Sequence, residues 1–333
     1  MKIVKGKKLF IVWGAEMELS RRLARALGAE ARQVYYKKIW GVNLPALIRY
    51  LAQSAATLLI LFKNRPEAVI VQNPPVFAPL AVLLYCKLSG ARFAIDSHTA
   101  AFLDDKWIKF YRLFKFAAKR ACLNSCHNYK NLEILNSWGI EPALAMQFFN
   151  PRYDPAELAH PMHDECLEKV LTTSKLPVMM VNRFADDDDW QTVIKTAELM
   201  PDADFFITGE PRRQIGKSDN VFLTGYLAHQ EFLKLMRRCR VILALTLRPD
   251  TVLWSIREIM ALNKPFVTTD SEVSRHYFGK IGVFAKPGAP ELKEKILSAA
   301  ENEADIKNKI KIFLEHDKSR WEDEIANYKK YIS

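Results

Sequence analysis

The chain has 333 residues, 49% of them hydrophobic and 26% charged, with a formal net charge of +11. That length allows two ordinary domains, and the composition excludes a disordered, low-complexity or repeat protein. The charge is segregated, with 22 Lys/Arg against 9 Asp/Glu in residues 1–150 and 27 against 29 in residues 151–333, so the basic excess lies in the first half and points to an anionic partner: a membrane surface, nucleic acid or a phosphorylated substrate.

The N-terminus is Lys-rich, but the apolar run Leu9–Trp13 is too short for a signal-peptide core and fits a first strand. Further β-type runs follow at Ala68–Gln72, Arg92–Asp96 and Cys122–Ser125, with helical patterns at Glu18–Leu27, Leu44–Phe62, Ala78–Leu88 and Lys106–Lys119. Arg49 and Lys63 bound the apolar stretch Tyr50–Phe62, which is shorter than the roughly 20 residues a membrane span needs. Prolines 151, 155, 161 and 177 interrupt the stretch 148–177, which is expected to be an interdomain linker. Strands then resume at Val178–Asn182, Asp204–Thr208, Val221–Leu223, Val241–Leu245, Pro265–Thr268 and Val283–Ala285. Helices are expected near Gln191–Met200, Gln230–Arg238, Thr251–Leu262 and Glu291–Glu301, and a charged helical tail over Ala304–Tyr331. Strands apolar on both faces and separated by helices predict parallel sheets covered on both sides. Five dispersed cysteines (Cys86, Cys122, Cys126, Cys166, Cys239) have neither metal-site nor disulfide-framework spacing and fit reduced core thiols.

The segment Val241–Asp270 places two carboxylates, Asp250 and Glu258, around a loop that opens a helix. Backbone N–H groups at Thr251, Val252 and Leu253 would then suit a phosphate or diphosphate. On spacing alone Asp250 is equally a helix cap, and Glu258 a solvated helix residue. His98 follows a buried-looking strand at its C-terminal end, where ligands bind in such sheets. The run Asp186–Asp189 begins a helix, where acids favour the macrodipole without any metal.

Together these segments resemble the GT-B glycosyltransferases, most closely those of family 4 type. Asp250-x7-Glu258 resembles the acidic pair of that superfamily, Ala261-Leu262-Asn263-Lys264-Pro265 its turn before the next strand, and Ser274-Arg275-His276-Tyr277-Phe278 with Gly282-Val283-Phe284 its usual tail. Val71-Gln72-Asn73-Pro74-Pro75, Ile95-Asp96-Ser97-His98 and Arg183-Phe184-Ala185-Asp186-Asp187-Asp188-Asp189-Trp190 are similar to chitobiosyldiphosphodolichol β-mannosyltransferases. The departures are Asp at the first acidic position, a glycine-rich first loop reduced to Gly14-Ala15-Glu16, and acids where a diphosphate-gripping Lys is usual.

The resemblance implies an α/β fold of two doubly wound Rossmann-like domains facing across a cleft. Residues 1–150 would form the acceptor-side domain, with a C-terminal helix over 318–333 packing back on it, and residues 165–317 the nucleotide-sugar domain. It implies a metal-independent hexosyltransferase without a cofactor, moving a sugar from a nucleotide-diphosphate sugar to a lipid-linked or polysaccharide acceptor. His98 and Asp250 would be catalytic. Glu258, Arg183, Thr251, Val252, Leu253, Gly209, Glu210, Tyr226, Leu227 and Arg248 would hold the donor, with Arg248 a substitute for the missing Lys. Gly14, Glu16 and Asn73 would lie on the acceptor side, and no residue is expected to bind a metal.

Two basic, aromatic segments, Lys37-Lys38-Ile39-Trp40 and Lys106–Phe116, suit an anionic bilayer surface. Each alone is equally a core-packed helix with a solvated basic face, but together with the basic first half, and with cysteines that fit a cytosolic protein, they lead to the expectation of a cytoplasmic protein peripheral on the inner face of the membrane. The alternatives are a nucleotide-sugar epimerase on the same fold and a basic nucleic-acid-binding protein. The second has no RNA-recognition, helix-turn-helix or zinc-finger signature, and the absence of GxGxxG after the first strand speaks against a dinucleotide oxidoreductase.

Overall fold

The computed structural model describes residues 3–14, 18–36, 38–39, 42–43, 45–146, 165–211, 215 and 218–333. It divides into two compact units, one of residues 1–149 and 320–333, the other of residues 150–319.

In the first unit β1 (Val4–Val12), α1 (Glu18–Leu27) and β2 (Glu30–Gln33) are followed by a short antiparallel pair, β3 (Lys38–Ile39) and β4 (Val42–Asn43). Then come α2 (Ala46–Asn64), β5 (Pro66–Asn73), α3 (Phe77–Ser89) and β6 (Arg92–Ser97). The unit continues with α4 (Ala100–Leu103), α5 (Asp105–Ile108), α6 (Tyr111–Ala118), β7 (Leu123–Cys126), α7 (Tyr129–Ser137) and β8 (Ala143–Ala145). Its sheet is parallel, in the order β2-β1-β5-β6-β7-β8. The period-two pleat divides each central strand between two cores. Leu9 and Ile11 of β1 join Val69 and Val71 of β5 on one face, and Phe10 and Val12 join Ala68 and Ile70 on the other.

The second unit runs through α8 (Glu165–Thr172), β9 (Leu176–Met180), α9 (Trp190–Glu198), β10 (Ala203–Thr208), β11 (Val221–Gly225), α10 (His229–Arg238) and β12 (Val241–Ala244). It ends with α11 (Ser255–Ala261), β13 (Phe266–Thr269), α12 (Glu272–Phe278), β14 (Val283–Ala285), α13 (Ala289–Glu301) and the first part of α14 (Glu303–Ile332), whose residues from Arg320 onward belong to the first unit. Its parallel sheet has the order β11-β10-β9-β12-β13-β14. Both units are doubly wound Rossmann-like folds, with the strand order reversing at the first strand of each sheet.

Four expectations change. The stretch 148–177 is not linker throughout, because Glu165–Thr172 is helical; the prolines at 151, 155 and 161 lie outside the described residues. The helix expected over Lys106–Lys119 is two, since Phe110 N–H turns back tightly onto the Trp107 carbonyl. The helix expected from Thr251 starts at Ser255. The edge strands β2 and β8 were not anticipated: β2 is the polar run EARQ and β8 is three half-buried residues, so neither carries a two-faced apolar signal. Cys86, Cys126 and Cys239 are buried free thiols, and burial pushes the Cys86 thiol up to about 12.

One buried ion pair holds the site-bearing helix of the second unit. Arg257 on α11 is 1% exposed and donates from Nη1 to Asp317 Oδ2 of α14 at 2.8 Å. Breaking it leaves a guanidinium in the core, which typically costs about 3–5 kcal/mol. Asp317→Ala therefore lowers the melting temperature by roughly 10 °C, and Asp317→Asn by less. A thermal melt of Asp317→Ala superimposing on the parent would contradict this.

Candidate functional site

In the second unit β9 is the strand at which the order reverses, with β10 on one side and β12 on the other. The loops leaving β9 and β12 bound an open cavity of about 640 Å³ lined by Arg183, Ala185, Asp186, Asp187, Leu247 and Arg248. A crevice at such a reversal is the ligand position of open α/β sheets.

The β9 loop is held from within. Asp188 Oδ2 accepts the backbone N–H groups of Arg183 at 2.9 Å and Ala185 at 3.0 Å. This fixes Phe184 at φ +56°, a conformation a bulky residue adopts only under constraint. The Asp187 carbonyl accepts from Leu247 N–H at 2.7 Å and from Thr246 Oγ1 at 3.2 Å, tying the β9 loop to the β12 loop. Arg248 Nε lies 3.5 Å from Asp187 Oδ2, so its charge is partly offset, while Arg183 is exposed beside it. The structure thus brings together Arg183 and Arg248, which are far apart in sequence. It gives Asp187 and Asp188 the loop-building roles that the acidic run alone did not reveal.

Gly209 follows β10 at φ +89°, and a Cβ there would stand 2.6 Å from the Asn182 carbonyl. Any side chain at 209 has to displace the backbone that leads into Arg183. Gly209 N–H donates to the Gly225 carbonyl at 2.8 Å, which aligns the β10 and β11 exits. Glu210 is exposed, Leu227 half-buried, and the Tyr226 ring 80% exposed.

The β12–α11 loop differs from expectation. Thr251, Val252 and Leu253 precede the helix, whose N-cap is Trp254, so their amides are loop amides and not a helix N-terminus. Asp250 does not cap the helix; it sits at φ +47°, which an aspartate tolerates. The β-branched pair Thr251-Val252 favours extended backbone, and Val252 is pulled into the core, at 8% exposure. Glu258 is buried and not solvated; its Oε1 lies 2.9 Å from His229 Nε2 at the start of α10. His229 carried no signal in the sequence.

In the first unit β1 is the reversal strand, and Gly14 follows it, its carbonyl accepting from Gln33 Nε2 at 2.7 Å. Glu16 lies outside the described residues. Asn73, at the end of β5, is 1% exposed; its Nδ2 donates to Ser97 Oγ at 3.2 Å and its carbonyl accepts from His98 N–H at 2.8 Å. Its side chain therefore braces the His98 loop.

His98 is part of a cluster. Its Nε2 lies 3.5 Å from Asp96 Oδ2, and His127 Nε2 lies 3.6 Å from Asp96 Oδ1. The two imidazole centroids are 4.2 Å apart, and Ser125 Oγ donates to Asp96 Oδ1 at 2.9 Å. Asp96, His98 and His127 each bring one potential metal-ligating atom within 4.8 Å of the others. Burial alone would push the Asp96 carboxyl up, but hydrogen bonding and charge from His127 and His98 outweigh it and hold Asp96 below the usual carboxylate range. Burial, reinforced by His98, lowers His127, although Asp96 pulls it back. Tyr328 of α14 is fully buried, and burial together with the Asp96 charge raises its hydroxyl well above the usual phenol range. His127 has no apolar or motif context that would pair it with His98 in the sequence.

No family model matches the chain, and no curated protein matches it. Solved structures do. Anabaena HepE in complex with UDP-glucose shares 13% identity and a TM-score of 0.70, over 96% of this chain and 98% of that one. Sucrose-phosphate synthase from Thermosynechococcus elongatus shares 12% and 0.68, over 96% and 100%. A structure assigned as a UDP-N-acetylglucosamine 2-epimerase from Listeria monocytogenes shares 12% and 0.57, over 92% and 91%. The fold is GT-B. At these identities the likeness is one of architecture.

The Asp96 cluster makes the first unit sensitive to acid. Asp96 and His127 both bind a proton less readily in the folded chain than in the unfolded one. Stability is therefore present at neutral pH and lost as pH falls, below about 6.5 through the imidazole and below about 4 through the carboxyl. Asp96→Asn removes the charge that favours protonated His127, so it steepens the loss between pH 7 and 5 and flattens it below pH 4. Urea midpoints of parent and variant with the same pH slope would refute this.

Proposed function

We propose that this chain is a hexosyltransferase that takes a sugar from a nucleotide-diphosphate donor and delivers it to a lipid-linked or polysaccharide acceptor at the cytoplasmic face of a membrane. The cavity of about 640 Å³ bounded by Arg183 and Arg248 carries the reading. Its volume suits a nucleotide-sugar, and its two guanidinium groups suit a diphosphate. That solved structures sharing this fold contain UDP and UDP-glucose supports the donor class.

In this reading the acceptor hydroxyl attacks the anomeric carbon while the bond from that carbon to the β-phosphate oxygen breaks. The transition state is oxocarbenium-like, and the departing nucleoside diphosphate gathers negative charge. Arg183 and Arg248 meet that charge, joined by the loop amides of Thr251, Val252 and Leu253. Asp250 contacts the sugar hydroxyls, and Glu258, oriented by His229, accepts from the donor ribose. Tyr226 and Leu227 border the base, while Gly209 and Glu210 shape the adjoining loop. His98, held by Asp96, takes the acceptor proton or contacts the sugar, and Gly14 borders the acceptor side.

A thermal-shift screen of nucleotide-diphosphate sugars tests the donor. A cognate donor at a hundred times its Kd stabilises the fold by about 2.7 kcal/mol. Arg183→Ala weakens donor binding about 10- to 100-fold, the loss of a charge-assisted contact, and Glu258→Gln weakens it without unfolding the chain. If no nucleotide sugar shifts the melt, or Arg183→Ala binds as the parent does, the donor site is elsewhere. The fold is also that of the Listeria structure assigned as an epimerase, so incubation with the donor alone is the discriminating arm. An inverted sugar still attached to the nucleotide would favour epimerisation. Since arginines meet the leaving charge, EDTA leaves the transfer rate unchanged; a loss restored by Zn²⁺ would assign Asp96, His98 and His127 to a metal.

A further inference from the structure

Helix α2 leaves an aliphatic stripe uncovered. The residues it buries are Gln53, Thr57 and Leu61, one stripe at i, i+4, i+8. Two of these are polar and are held by hydrogen bonds: Gln53 Nε2 donates to the Val34 carbonyl at 2.7 Å, and Thr57 Oγ1 accepts from Trp13 Nε1 at 2.8 Å. The opposite stripe is aliphatic and bare, with Leu47 and Leu59 each 72% exposed, Leu51 62% and Ile48 53%. A helix on the surface of a globular domain normally has the reverse pattern.

The face extends beyond α2. Tyr50 meets Phe77 at 4.9 Å and Phe62 meets Tyr85 at 5.3 Å between ring centroids, so α2 and α3 lie side by side. Leu84 and Leu88 continue the exposed surface on α3. Lys87 of α3 stands 5.9 Å from the Phe116 ring of α6, whose Leu113 and Phe116 are also exposed. By contrast Trp107 and Phe114 of the Lys106–Phe116 run are buried. An apolar face of this extent marks an interaction surface.

Charge selects the occupant. Helices α2, α3 and α6 carry Arg49, Lys63, Lys87, Arg112 and Lys115, and no acidic residue. Two copies of such a face brought together would oppose cation to cation. An anionic bilayer offers both hydrocarbon for the leucines and phosphate for the rim. By length and composition α2 meets the requirement for crossing a membrane, but its Gln53–Thr57–Leu61 stripe is packed into the unit, so it lies along the surface.

We infer that the outer face of α2, continued by α3 and α6, docks the chain on an anionic lipid bilayer, with Leu47, Leu51 and Leu59 inserted and the basic residues at headgroup level. This deepens the membrane-face part of the function proposed above. It is tested without any donor, so its failure and a failure of donor binding are separately visible.

The experiment is co-sedimentation of the full chain with vesicles of phosphatidylcholine alone and with 30% phosphatidylserine. The parent binds the anionic vesicles at least tenfold more tightly than the neutral ones, and binding weakens as salt rises. The doubly substituted Leu51→Glu, Leu59→Glu chain loses at least tenfold in vesicle binding, while its urea midpoint matches the parent's because both side chains are exposed. Failure of the parent to sediment, or sedimentation of the double variant equal to the parent, overturns the inference. So does a parent dimer in solution that the double variant converts to monomer with no change at vesicles, since the face would then join two copies of the chain.

Discussion

The carboxylate of Asp188 is the constraint on which the geometry of the second unit's cavity depends. It accepts two backbone N–H groups of its own loop, from Arg183 and Ala185. Hydrogen bonds to a charged group are worth about 1.5–3 kcal/mol each. Holding a bulky residue such as Phe184 in a left-handed conformation costs on the order of 1–3 kcal/mol. The two bonds therefore outweigh the strain, and the loop keeps one shape that starts the Arg183 side chain from a fixed point. Gly209 supports that shape from the neighbouring strand, where only a residue without a side chain admits the Asn182 carbonyl. The Asp187 carbonyl ties the assembly to the β12 loop, so the two arginines share a single scaffold.

The first unit handles buried charge differently. Asp96 has almost no access to water, and among the described residues its neighbours are two imidazoles, a serine hydroxyl and, more distantly, a tyrosine, with no arginine or lysine beside it. An imidazole can carry or release a proton near neutral pH, whereas a guanidinium cannot. The same burial that would be prohibitive for an isolated carboxylate here creates a proton-responsive group at the end of β6. One unit thus presents two guanidinium groups on the loops after its central strands, and the other a buried carboxylate flanked by two imidazoles.

The parallel architecture was legible because its central strands are apolar on both faces and alternate with helices; β14 is found over the residues anticipated, and β5 and β12 within two residues at each end. The edge strands of the first sheet were not legible, since Glu30–Gln33 is polar and largely exposed and Ala143–Ala145 is only three half-buried residues. The start of α11 was misplaced because the hydrophobic pattern of Thr251–Trp254 fits a helix while the left-handed turn at Asp250 and the burial of Val252 delay it. Arg183, Glu258 and His98 were singled out through their motif positions, and Arg248 as a substitute for a missing Lys. Their partners Asp188, His229 and His127 were not, because each pairing depends on long-range geometry or on a backbone contact that a local pattern does not encode. The aliphatic face of α2 was hidden for a related reason. A run rich in leucine looks like a core helix until its most exposed stripe is seen to be aliphatic, with Gln53 and Thr57 among the residues it buries.

The last thirteen residues of α14 have a consequence for how the molecule is made. Ile325, Tyr328 and Ile332 fill one face of the first sheet, against Phe10, Leu27 and Ala94. That core is assembled from segments far apart in the sequence, so the first unit cannot close until synthesis has passed Ile332. Until then it exposes apolar surface on that side of its sheet, and chaperone contact or delayed compaction of the nascent chain is the natural outcome. The ordering also couples biogenesis to quality control: a truncated product would lack the plug and leave the earlier-made half open to proteases.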